Sequence, residues 1–403
     1  MIIQPARRTA DVREYYFSRK LKEIALMNRS RLAAGLPPVI NLGIGAPDGM
    51  PPREAVDALV GSARLPDSHA YQSYTGIDAL REAFSAWYRR YYGVTLDPAT
   101  QIQPLTGSKE GILLVSLAFL DEGDGVLVPD PGYPTYTSAS RLAQARILTY
   151  DLGEENGWQP DFDALEGTDL SGVKIMWLNY PHMPTGAPAT PELLERTVDF
   201  ALRHKLLVVN DNPYSFILND RPLSILSVPG AQECCLELNS LSKAHNMSGW
   251  RIGMVAGDAQ LVSQVLKVKS QMDSGMFKPL QLAAVEALSQ GEEWFRSLNA
   301  VYASRKSAAA AVFDTLGVRY NPDSQGLFLW GKVEEGNPYA AGDAVSEGSF
   351  SLGERVSDTV LCKAGVFITP GFIFGRNGRD YVRISLCASE QTLRRANELI
   401  QTI

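Results

Sequence analysis

Cysteine and histidine are both scarce, with four of each in 403 residues. Cys234, Cys235, Cys362 and Cys387 have no regular spacing. That excludes a disulfide framework, and neighbouring cysteines rarely bridge each other. No histidines stand at ligand-like spacing, which argues against a metal site. Long apolar runs are missing too. The longest, such as Gly111–Leu120, fall far short of the roughly 20 residues a membrane span needs. The opening MIIQPARRTADVREYYF lacks the apolar core of a signal peptide, so the expected compartment is the cytoplasm. Nor is there a basic surplus. Lys and Arg number 38 against 45 Asp and Glu, a net charge of −7 with both signs scattered. A nucleic-acid or anionic-membrane footprint is not expected from that balance.

What is present is a chain 45% hydrophobic and 21% charged, long enough for two or three core-building units. Between about 55 and 290, helical patterns alternate with short apolar or β-branched runs. These are Gly125–Pro129, Arg146–Thr149, Val173–Leu178, Leu206–Val209, Cys235–Leu238 and Arg251–Ala256, with helical stretches such as Pro191–His204 between them. The alternation predicts an α/β layer structure with a mainly parallel sheet. A helix is expected over 11–34, a short strand at Val39–Leu42, and one long helical stretch near 280–317. Strand-like Leu327–Trp330, Val366–Ile368 and Tyr381–Leu386 and a closing helix Glu390–Ile400 give the tail a different, α+β texture. The expected division is therefore 1–54, completing a smaller domain; 55–294, the large domain; and 295–403, the rest of the smaller one. Gly336–Gly353 reads as a surface excursion.

Three segments carry chemistry. Thr106-Gly107-Ser108-Lys109-Glu110-Gly111 leads into an apolar helix, and small residues at a helix start leave N–H groups open to an anion. Asp211 follows an apolar strand in VVNDNPY, where open α/β sheets place ligand contacts. Lys243 lies among small polar residues in NSLSKAHNMSGWRIG, and burial or nearby cations would make its amine carbonyl-reactive. Taken singly, each has a plain alternative: a helix cap, a turn and a solvated lysine.

Together with NLGIGAPD, YQSYTGIDALREA, PDPGYPTY, YPHMPTG and VRISL, in this order, the segments closely resemble the class I/II aminotransferases. These are pyridoxal-phosphate (PLP) enzymes of the aspartate aminotransferase-like fold, fold type I. The resemblance runs from about Asn41 to Ser389. It implies that Lys243 carries the cofactor as a Schiff base and shuttles the substrate proton. Asp211 matches the carboxylate that keeps the pyridine nitrogen protonated, and Tyr214 the phenol bonded to the cofactor O3′. Ser240 and Arg251, with Gly107, Ser108 and Lys109, match the phosphate cup. Tyr133 matches the aromatic stacked on the ring, and Arg383 the arginine that grips the substrate carboxylate. The backbone near Ile44 and Gly45 is implied to close over substrate. Tyr71 matches a tyrosine reaching the phosphate of the neighbouring subunit, which implies a homodimer with composite sites. The activity implied is transfer of an amino group from an L-amino acid to a 2-oxoacid, with 2-oxoglutarate as the expected acceptor.

One residue departs from the pattern. Relatives read Asn immediately before Pro-Thr-Gly, where this chain has Met183, and a thioether donates no hydrogen bond. Either Asn179 or His182 replaces the donor, or Tyr214 serves O3′ alone. A PLP-dependent C–S lyase on the same fold is the alternative activity. A PLP-binding transcriptional regulator would need a DNA-binding domain that the forty residues before Asn41 do not supply. The substrate reading leans to aspartate- or glutamate-type donors or a longer one such as diaminopimelate. Lys278 is either a contact for an acidic side chain or a solvated lysine, and Cys234-Cys235 reads as two small buried hydrophobes.

Overall fold

The computed structural model describes residues 3–10, 12, 14–341 and 351–403. Thirteen strands lie among them. A two-residue strand, β1 (Ile40–Asn41), precedes the seven of the central sheet: β2 (Ile102–Leu105), β3 (Gly125–Asp130), β4 (Arg146–Asp151), β5 (Val173–Leu178), β6 (Leu207–Asp211), β7 (Cys235–Ser240) and β8 (Gly253–Gly257). The remainder are β9 (Val318–Tyr320), β10 (Phe328–Val333), β11 (Val366–Phe367), β12 (Thr369–Pro370) and β13 (Tyr381–Ser385). The central order is β2-β8-β7-β6-β5-β3-β4, with β8 alone running against its neighbours. The tail sheet, β12-β13-β10-β9, is antiparallel, and β1 pairs in parallel with β11.

The central strands are apolar on both faces, as a sheet sandwiched between helices requires. Alternate residues go to opposite cores: Met176, Leu178 and Val208 to one, Ile175, Trp177 and Val209 to the other. The covering helices start on local signals. Pro191–His204 follows Thr190, whose hydroxyl accepts the Leu193 N–H at 3.1 Å, and ends at Lys205 in the left-handed conformation. A separate core surrounds the tail sheet and takes in Leu42 from the start of the chain.

Three expectations need correction. β2 was not anticipated, because Pro104 lies within it. It is an edge strand, the place where a sheet tolerates proline. The single helical stretch at 280–317 is two helices, Lys278–Leu288 and Glu292–Leu316, separated at Gly291. The helix expected over 11–34 spans Tyr16–Ala33 and buries only Ile24. Half of the surface excursion expected at 336–353, residues 342–350, lies outside the described residues. No described helix is long and apolar enough to cross a membrane.

Beneath the ends of β6 and β7 lies Glu237, fully buried. Its carboxylate accepts from Tyr88 Oη at 2.7 Å, Ser224 Oγ at 2.8 Å, Asn210 Nδ2 at 2.9 Å and the Ile225 N–H at 3.1 Å. Burial pushes its pKa up, and these four donors oppose that shift. They staple a helix, two strands and a turn to one group. Tyr88→Phe is expected to lower stability in urea unfolding by about 1–3 kcal/mol, since a hydrogen bond to a buried carboxylate is lost with little change in volume.

Candidate functional site

Strands β2, β3, β5, β6 and β7 end at one edge of the sheet, and the reversed β8 begins there. The loops leaving that edge, and the tail sheet facing it, enclose a cavity of ≈ 550 Å³. Segments far apart in sequence meet here for a topological reason, the crevice outside the carboxyl ends of the strands.

Asp211 is the last residue of β6 and is buried. Its Oδ2 accepts from Tyr136 Oη at 3.0 Å, while Oδ1 has no partner among the described residues. Burial pushes its pKa up to about 6 against the pull of Tyr136, Ser108 and Lys243. Tyr136 is itself fixed, stacked on Trp177 at 5.0 Å between ring centres.

Lys243 lies three residues past β7, and its Nζ donates to the Gly45 carbonyl at 2.6 Å. Burial holds its pKa below the usual lysine value; Arg251 and Arg383 act in the same direction, Cys387 and Asp211 against it. Its amine therefore deprotonates more readily than a solvated one, as a nucleophile needs.

Arg251 precedes β8 with φ at 57°, an uncommon conformation for a side chain of this size. Nη1 donates to the Ser248 carbonyl at 2.8 Å and Nη2 to that of Thr106 at 3.5 Å. Gly107, at φ +83°, has the Arg251 guanidinium where a Cβ would stand, so only glycine fits. Beside this pair lie Ser108, which opens the helix Ser108–Phe119, and Ser240 and Ser242. Hydroxyls, a guanidinium and a helix start make a cup for a polyanion.

Across the cavity, Arg383 occupies β13 between β10 and β12. It is 3% exposed, yet no carboxylate among the described residues pairs with it. Nη2 donates to the Gly43 carbonyl at 2.8 Å, and Nε has no partner among the described residues. Its guanidinium carbon lies 3.8 Å from the Phe328 ring centre and 4.6 Å from that of Phe374. Burial pulls its pKa down to about 10. A buried cation without a counter-charge is a site built for an incoming anion.

Met183 is buried with its sulfur 3.4 Å from Arg383 Nη1. Asn179 lines the cavity: its Nδ2 donates to the Asp211 carbonyl at 2.5 Å, which leaves the second N–H of that amide uncommitted, and its Oδ1 accepts from the Met183 N–H. His182 Nδ1 engages Thr185 at 2.8 Å, and the ring does not line the cavity. Of the two candidate substitutes, only Asn179 therefore reaches the cavity.

Of the residues singled out from sequence, Ile44, Gly45, Ser108, Lys109, Tyr133, Asp211, Tyr214, Ser240, Lys243, Arg251 and Arg383 all line the cavity. Lys109 leans toward the N-terminal segment, its Nζ 5.0 Å over the Tyr15 ring. Tyr71 lies outside, 90% exposed. Lys278 does not line the cavity either; it pairs with Asp67 at 2.5 Å. Sequence reasoning missed Tyr15, Phe17, Tyr136, Phe328 and Phe374. Only Tyr136 carried a signal, its place in PDPGYPTY.

The profile of the family described as aminotransferase class I and II matches residues 37–400. The chain belongs to that family. The LL-diaminopimelate aminotransferase of Moorella thermoacetica is 37% identical over 403 residues, covering 100% of this chain and 98% of the relative. That of Aquifex aeolicus is 39% identical over 367 residues, 91% of each. Substrate-bound BacF from Bacillus subtilis superposes with a TM-score of 0.89 at 32% identity, covering 100% of this chain and 98% of that one. The chain is accordingly an aminotransferase of fold type I, and the relatives lend no support to the C–S lyase alternative.

Class I and II aminotransferases use PLP, and the residues present fit that group. Asp211 Oδ1 is a buried, unpartnered acceptor suited to a protonated ring nitrogen. Lys243 offers an amine of depressed pKa to an aldehyde. The glycine at 107 leaves room for Arg251 in a cup suited to a phosphate.

The raised Asp211 pKa makes the cofactor-free protein pH-sensitive in a defined direction. Between the ordinary value of 3.8 and about 6, the native state holds a proton that the unfolded state has released. Stability therefore falls as pH rises through this window. Asp211→Asn removes the effect, so urea unfolding of the cofactor-free proteins should show the variant gaining about 3 kcal/mol on wild type between pH 4 and pH 7. A constant difference would contradict the burial.

Proposed function

We propose that this aminotransferase takes its amino group from a long amino acid, with LL-diaminopimelate the first candidate, and passes it to 2-oxoglutarate. The observation that carries the reading is Arg383, a buried guanidinium without a counter-charge, opening into the cavity that also holds Lys243 Nζ and Asp211. The donor assignment is supported by relatives 36–39% identical that are named LL-diaminopimelate aminotransferases. With Lys243 and Arg383 engaged near the α-carbon and Arg251 in the cup, Lys109 is the remaining cation of the wall for a distal carboxylate. A second reading, an aromatic donor, is favoured by Tyr15, Phe17, Leu21 and Phe328 on the same wall.

Bound PLP supplies an electron sink that acidifies the substrate Cα–H. The residues of this chain do the rest. Arg383 holds the α-carboxylate through paired N–H donors and so fixes which bond faces the ring. Lys243 Nζ receives the proton leaving the α-carbon, and its depressed pKa suits that task. Asp211 accepts the ring N–H and, ionised beside a cation, keeps that proton in place. Ser108, Ser240 and Arg251 would anchor the phosphate, Tyr133 would pack on the ring, and Tyr214 would donate to O3′. Residues 1–54 and 295–403 form the smaller domain that carries Arg383, with 55–294 as the larger. Tyr71, Met272 and Phe277, all exposed here, belong to the face covered by a second copy in a homodimer.

Purified holoenzyme given LL-diaminopimelate and 2-oxoglutarate should form glutamate faster than with phenylalanine or tyrosine as donor. The reverse ranking moves the assignment to an aromatic donor, and pyruvate from cystathionine alone would overturn transamination. Lys243→Ala should abolish turnover while cofactor binding survives. Arg383→Lys should raise KM roughly ten- to a hundredfold, because an ammonium cannot bond both carboxylate oxygens. Met183→Asn restores a donor to the phenolate side of the cofactor. Spectral titration should then give an apparent pKa about one to two units lower; no change, or a rise, would mean that a donor other than Tyr214 already serves O3′.

A further inference from the structure

Lys269 is a second buried lysine, 1% exposed, and it lies outside the cavity. Its ammonium is ion-paired with Asp273 and stands 3.8 Å from Glu110 Oε1, which has no hydrogen-bond partner. The other oxygen, Oε2, accepts the Thr106 N–H at 2.5 Å. The Thr106 carbonyl meanwhile accepts from Arg251. The Thr106 backbone is thus held at both ends, by Glu110 at its N–H and by Arg251 at its C=O, immediately before Gly107. Asp273, the other partner, accepts the Gly275 N–H at 3.1 Å. Gly275, at φ +90°, packs so tightly on the backbone of Gln72 and Ser73 that a Cβ there would stand 2.5 Å from the Gln72 carbonyl oxygen.

We infer that Lys269 is a positioning residue for phosphate binding. It offsets the charge of Glu110, which sets the Thr106 backbone beneath the cup, and through Asp273 it fixes the turn supporting the loop that carries Tyr71. The inference rests on the PLP reading above. Glu110 is an unfavourable neighbour for a phosphate, and Lys269, which it shares with Asp273, is the cation that offsets its charge. Without that lysine the carboxylate would repel the group the cup receives, and an unpaired buried charge is costly in itself.

The test is equilibrium binding of PLP and of phosphate-free pyridoxal to the full-length apoprotein, followed by fluorescence quenching. Lys269→Met should weaken PLP at least about tenfold relative to pyridoxal. Adding Glu110→Gln should restore the ratio, because the amide oxygen still accepts from Thr106 and carries no charge. Equal losses for both vitamers, or failure of the second substitution to rescue, would assign Lys269 a general structural role and overturn the inference. Should Lys269→Met not fold, the single variants decide: Glu110→Gln is expected to keep the PLP preference and Glu110→Ala to lose it. Equal behaviour of those two overturns the inference as well. A wild type that binds neither vitamer contradicts the cofactor reading instead.

Discussion

Charges withdrawn from water without local partners govern this site. Asp211 keeps one carboxylate oxygen free under the cavity, and Arg383 faces it with no counter-ion among the described residues. Lys243 is buried between them with a lowered pKa. In a structural core such groups would be unfavourable. Around a cavity they are preorganised donors and acceptors whose missing partners arrive with the ligand, so binding relieves a cost already met by folding.

The rest of the molecule supports that arrangement. Two apolar cores hold the central sheet rigid, and buried polar networks reach from them to the site. Glu237 ties β6 and β7 together below Asp211. On the opposite flank, Asp130 at the end of β3 accepts the N–H groups of Arg376 and Asn377 at 3.2 and 3.1 Å. That joins the edge carrying Tyr133 to the tail segment carrying Phe374, whose ring packs on Arg383. Hydrogen bonds to a buried carboxylate hold better than exposed ion pairs, which water and salt screen.

Met183 changes the local chemistry. At this position a thioether packs against the guanidinium and leaves the Arg383 side of the cavity more apolar. Phe328, Phe374 and Phe17 enclose the same guanidinium. Rings around a cation both orient it and exclude water.

Much was legible in the sequence. Apolar runs located six of the seven central strands, because buried parallel strands are apolar throughout. The motif residues were legible because their chemistry demands particular side chains at fixed offsets from strand ends. Pro104 concealed β2, since its edge position is a property of the sheet and not of its own residues. Tyr15, Phe17, Phe328 and Phe374 gave no local sign, because an aromatic lining a cavity looks like one filling a core. The sequence by itself determined the fold class and pointed to Lys243, Asp211 and Arg383, which line one cavity. Only the tertiary structure decided that Asn179 reaches the cavity and His182 does not, that Lys278 is paired away from the site, and that Lys269 stands behind the cup. Those outcomes depend on which groups meet across hundreds of residues, and hydrogen-bonding capacity can be allotted only once neighbours are fixed.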